Sequence, residues 1–94
     1  MSVAETMRVK LTDAFSPERL DIIDESHLHA GHAGHDGGGE SHFTVTIVSR
    51  AFQGQNRVAR QRQVYGILAE ELADRVHALA LKTVTPEEDA RASG

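Results

Sequence analysis

Apolar positions at the start of the chain recur with helical spacing. Val3, Met7, Leu11, Ala14 and Phe15 fall on one stripe of a helix expected over 2–15, with Ser2 and Glu5 matching a capping box. Ser16-Pro17 ends it, because the residue before a proline is pushed out of the helical region. The pattern then changes period. Residues 20–26 alternate weakly around Leu20 and Ile22, a short strand that Asp24 and Glu25 close. Adjacent acids on a strand point to opposite faces, so this pair is no catalytic carboxylate dyad. Residues 40–49 carry the clearest alternation, with Phe43, Val45 and Ile47 on the expected core face and His42, Thr44, Thr46 and Val48 on the other.

After a turn marked by Phe52 and Gly54, Asn56 is a good N-cap for a helix over 57–73. Val58, Tyr65, Leu68 and Leu72 supply its stripe, widened by Val64 and Ile67. Residues 77–84 form a third strand. Thr85-Pro86-Glu87-Glu88 then has the cap, the first-turn proline and the acid that start a helix. Little that follows is apolar, so a frayed tail is expected over 87–94. The order α-β-β-α-β implies an α+β two-layer sandwich with a three-stranded mixed sheet: a hairpin, then a right-handed crossover that makes the second and third strands parallel.

Between the hairpin strands lies a segment of another character. His27, His29, His32 and His35 alternate with Gly31, Gly34 and Gly37 to Gly39, a composition unsuited to helix or strand, so 27–39 is expected to be a mobile loop. It is longer than a hairpin needs. Imidazole is the commonest protein metal ligand. His42 and His77 each open a strand, and parallel pairing would bring those strand starts to the end of the sheet where the loop arrives. His77 with a loop histidine such as His29 is therefore a candidate ligand pair, and an exposed polar residue is the plain alternative for each. Structural zinc takes four ligands and catalytic zinc typically three plus water, so two imidazoles imply completion by a second protein. Uptake of zinc or nickel by the histidine loop alone is a further expectation to weigh.

The chain has 94 residues, enough for one domain over 1–94 and too few for a large internal substrate pocket. Net charge is -4, and protonating the six histidines would bring it to +2. Nucleic-acid binding would thus need a local patch. Arg50, Arg57, Arg60 and Arg62 offer one at the start of the second helix, where cations oppose the macrodipole and backbone N–H groups suit a phosphate or carboxylate. There is no cysteine, so disulfides and thiol catalysis are excluded, and an iron–sulfur role would need thiolates from a partner. No nucleophile or acid pair sits beside a pocket, which argues against an enzyme. No long apolar run appears, and the cytoplasm is the expected compartment, with no membrane partner.

In order, SPERLDIIDES, GESHFTVTIVSRAFQG, the R-x-R-x-x-Y and LAEEL of the second helix, and VHALALKTVTPEE resemble the BolA family over nearly the whole chain. The resemblance implies a fold similar to class II KH domains. It also implies a monothiol glutaredoxin as partner, sharing a [2Fe-2S] cluster to which the partner brings cysteine and glutathione thiolates. The family's C-terminal ligand histidine maps onto His77, and its variable-loop ligand best onto His29, with His27, His32 and His35 as alternates. Such a protein would serve iron–sulfur cluster trafficking or iron homeostasis. Some members are described as transcriptional regulators, which makes DNA binding through the arginine cluster the second expectation. Three departures stand out. Arg60-Gln61-Arg62 replaces the R-H-R of many members, the 27–39 loop is unusually rich in histidine, and Asp89 stands where an aromatic often follows T-P-E-E. Against RNA binding of the KH type, Gly54 has no second glycine in GxxG spacing.

Overall fold

A computed structural model describes residues 2–25, 42–74, 76 and 78–93. Helix α1 spans Val3–Phe15, with the Ser2 side chain accepting from the Glu5 amide at 3.1 Å. Met7, Leu11 and Phe15 are buried on its stripe, whereas Ala14, expected there, is exposed. Ser16 closes the helix in the left-handed region (φ 44°), donating its N–H to Thr12 O. The proline after it disfavours another helical turn.

Strand β1 (Arg19–Asp24) pairs antiparallel with β2 (His42–Val48), and β2 pairs parallel with β3 (Ala78–Val84), giving one mixed sheet in the order β1-β2-β3. The antiparallel hairpin and the parallel pairing of β2 with β3 are both as the pattern implied. Phe43, Val45 and Ile47 of β2 are buried with Met7, Leu11 and Phe15 and with Phe52, Val64, Leu68 and Val76, so the core lies between the sheet and the helices. Phe52 sits in a short 3-10 turn (Arg50–Phe52), and its ring lies 4.9 Å from that of Phe15. Gly54 then takes φ 77°, a conformation a side chain would strain.

The second helix departs from expectation in phase and continuity. Helix α2 (Arg57–Ile67) stops at Leu68, and a short α3 (Ala69–Asp74) follows, in place of one helix over 57–73. Gly66, which lacks a side chain to hold the last turn, is the local weak point. The Asn56 cap forms, accepting from the Ala59 amide at 2.8 Å. The buried face is Arg60, Val64 and Leu68, while Val58 and Tyr65 are 57% and 40% exposed. Val64, Ile67, Leu68 and Leu72 of the expected stripe do pack on the core, and only Val58 and Tyr65 fall off it, because the core-facing position of the first turn is Arg60.

The tail expected to fray is a helix, α4 (Pro86–Ser93). Its capping box is complete: Thr85 N–H donates to the Glu88 carboxylate at 2.8 Å, and Glu88 N–H donates to Thr85 Oγ1 at 3.2 Å. Asp89 pairs with Arg19 of β1, so ion pairs supply the anchoring that apolar residues do not. Among the described residues, no helix is long and apolar enough to cross a membrane. The expected loop 27–39 and His77 lie outside the described residues.

Candidate functional site

Three chain segments meet at one end of the sheet. Strand β1 ends there, β2 and β3 begin there, and His42 is the register partner of Ala78. Glu25 N–H donates to His42 O at 2.8 Å, which extends the hairpin pairing beyond β1, and the Thr44 hydroxyl donates to the Glu25 carboxylate. Glu25, His42, Phe43, Thr44, Ala78, Leu79 and Ala80 line a cleft of about 410 Å³ at this end.

His77, His29, His27, His32 and His35 lie outside the described residues. Their flanks are placed. Val76 is buried and donates to Glu71 O at 3.0 Å, and Ala78 starts β3. Among the described residues, no group of three or more His, Cys, Asp or Glu side chains could hold a metal ion. Glu25 and His42 are the potential donors lining the cleft. Glu25 escaped the sequence reasoning because it looked like the polar end of a strand.

The arginine cluster divides. Arg60 is 9% exposed: it donates to Gln55 O at 2.9 Å and Thr83 O at 3.0 Å, pairs with Glu88 at 2.7 Å, and lies 5.8 Å from the centre of the Phe52 ring. A guanidinium can be buried when its donors are satisfied in this way. Arg60 thus ties α2 to β3 and α4, and it is withdrawn from the exposed patch expected for a ligand. The same contact holds the Glu88 carboxyl at about 2, well below its ordinary 4.5, chiefly through the Arg60 hydrogen bond and then the Thr85 amide. Glu87 is lowered too, by backbone hydrogen bonding and by Gln53.

Arg50 pairs loosely with Glu18 at 3.4 Å. Arg57 and Arg62 are exposed, and among the described residues no hydrogen bond or ion pair engages their side chains. Arg57 shares a second cleft, of about 400 Å³, with Arg60, Leu81, Lys82, Thr83, Val84 and Glu88. Lys82 is the cation that sequence reasoning missed there. Only parallel pairing across the crossover brings it beside the start of α2.

Comparison with known proteins agrees with this architecture. The BolA family model, described as BolA-like protein, matches residues 11–88. A Sinorhizobium protein named as an uncharacterized protein in the cobS 5′ region is 52% identical over 92 residues, covering 97% of this chain and 99% of its own. The DNA-binding transcriptional regulator BolA of Escherichia coli is 46% identical over 88 residues, covering 94% of this chain and 80% of its own. The solved structure of BolA1 from Arabidopsis thaliana superposes with a TM-score of 0.84 at 47% identity, covering 94% of this chain and 96% of that one. Extent of match, identity and shared fold together place this chain in the BolA family.

Proposed function

We propose that this chain is a non-enzymatic adaptor that binds a monothiol glutaredoxin and gives His77 and one histidine of the 26–41 segment, His29 foremost, to a bridging [2Fe-2S] cluster. The observation that carries the reading is the register at the cleft end. Glu25 and His42, which bound that segment, are joined by a hydrogen bond, and His42 is paired with Ala78, the residue after His77. The donor chemistry fits. Imidazole nitrogens ligate one iron of Rieske-type [2Fe-2S] centres, and the absence of cysteine leaves the thiolates to the partner and its glutathione. When bound, imidazole in place of thiolate raises the cluster's reduction potential. The chain's own part is to offer imidazole nitrogens from the segments that flank the starts of β2 and β3, in the service of cluster trafficking or iron homeostasis.

Titration of cluster-loaded monothiol glutaredoxin with this protein, followed by visible circular dichroism, tests the reading. The wild-type chain should change the spectrum and His77→Ala should not reproduce the change. Single alanine variants at His27, His29, His32 and His35 then identify the loop ligand. Unchanged spectra with the wild-type chain would sink the shared cluster.

A second reading, DNA binding, is favoured by the name of the Escherichia coli relative, by the exposed Arg57 beside Lys82 and by the exposed Arg62 on the same helix. It requires affinity for duplex DNA to fall steeply between about 50 and 200 mM salt. It also requires loss of binding in the Arg57→Glu, Arg62→Glu double variant. Anisotropy showing no binding at low salt would end it.

A further inference from the structure

We propose that the open face of the sheet next to the cleft, built from Ile23, Thr44, Ala78 and Ala80, is the surface on which the thiolate-bearing partner protein docks. This rests on the adaptor reading above and names the contact that reading leaves unspecified.

Strand parity defines the face. Phe43, Val45 and Ile47 turn toward the core, so the alternate residues and their register partners form the other side. That side runs in cross-strand rows: Arg19, Val48 and Val84; then Asp21, Thr46 and Lys82; then Ile23, Thr44 and Ala80; and last His42 and Ala78.

Helix α4 covers only the far row. It contacts β3 and reaches Arg19 through Asp89, and Val48 is 2% exposed although it lies on the outer side. At the near end Ile23 is 54% exposed, and Ala78 and Ala80 are exposed too. A large aliphatic side chain over two alanines and a threonine makes a shallow floor whose charges lie at its edges, Asp21 and Lys82 on one side and, bonded to the Thr44 hydroxyl, the Glu25 carboxylate on the other. Interface cores are depleted of charge in this way, with polar groups at the edge. Such a floor suits a protein surface and not a polyanion.

The occupant follows from continuity. Thr44, Ala78 and Ala80 belong both to this face and to the cleft lining, so the cleft opens on the face. The chain has no cysteine, and a protein that brings thiolates to the end where β3 begins arrives beside Ala78 and Ala80.

The test uses the full chain and a purified monothiol glutaredoxin, with and without its cluster. Ile23→Lys and Ala80→Lys should weaken association about tenfold or more in calorimetry, about 1.4 kcal/mol by the RT ln K relation. Val58→Lys, on the outer side of α2, should leave it unchanged. Melting curves confirm that each variant is folded, and amide shifts of Ile23, Thr44 and Ala80 report docking whether or not a cluster spectrum develops. Normal binding by both face variants, or equal weakening by Val58→Lys, overturns the proposal. Absence of amide shifts with either form of the partner overturns it also. A spectrum unchanged by the wild-type chain while these amides still shift counts against the shared cluster alone. Sedimentation showing that the chain alone self-associates, with Ile23→Lys abolishing it, would assign the face to a second copy and refute the partner.

Discussion

Arg60 shows how a single residue can belong to two stories. In the linear sequence it is one of four clustered cations, whereas in the fold two backbone carbonyls, Glu88 and the Phe52 ring absorb it. Arg60→Gln should therefore destabilise the chain by about 2 kcal/mol in urea unfolding, because it leaves buried acceptors and removes a charged hydrogen bond. Arg62→Gln, on the exposed side, should change stability by less than about 0.5 kcal/mol. Glu88 adds a pH dependence whose sign follows from its lowered folded pKa, about 2 against 4.5. A depressed carboxyl stabilises fully above its unfolded value and loses that contribution as pH falls toward the folded one. Between about pH 5 and 2, Glu88→Gln should accordingly flatten the acid limb of the stability curve. Composition made the arginines conspicuous but carried no sign of which one would be buried, since that depends on Thr83 and Glu88, distant in sequence.

Elements were legible to different degrees. The Ser2, Asn56 and Thr85 caps could be read from residue type alone, because a cap is a contact within three residues. Asn56→Ala should cost about 1 kcal/mol, measurable by thermal unfolding. The phase of α2 was less legible. Val58 and Tyr65 fit an apolar stripe on spacing but lie outside, while Val64 is fully buried. Val64→Ala should thus cost roughly 2 kcal/mol and Val58→Ala almost nothing, a contrast that chemical denaturation would resolve. Helix α4 was underestimated for the same reason that Arg60 was misread: its ties to Arg60 and Arg19 are ion pairs across the fold, which periodicity does not register.

For the molecule as a whole, fold and proposed function occupy separable parts. The hairpin pairing runs from Arg19 with Val48 to Asp24 with Phe43, and all of it lies outside 26–41. Replacing 26–41 with an Asn-Gly turn should leave the melting temperature unchanged or higher, since a shorter closure costs less entropy. The same replacement should abolish the spectral change with cluster-loaded glutaredoxin. A large loss of stability would instead show that the segment helps to hold the fold.

Local information determined the caps, the strand faces of β2, the stop at Ser16-Pro17 and, through the crossover rule, the parallel pairing that brings the starts of β2 and β3 together. It also determined which side chains are on offer to a metal, six histidines and no cysteine. Tertiary structure alone decided that Arg60 is core, that Lys82 joins Arg57, that α4 stands on one end of the sheet, and that Ile23, Ala78 and Ala80 are left open at the other. Each of these is a balance of burial against hydrogen bonding between residues far apart in the chain, and no local pattern encodes which partner will satisfy a buried charge.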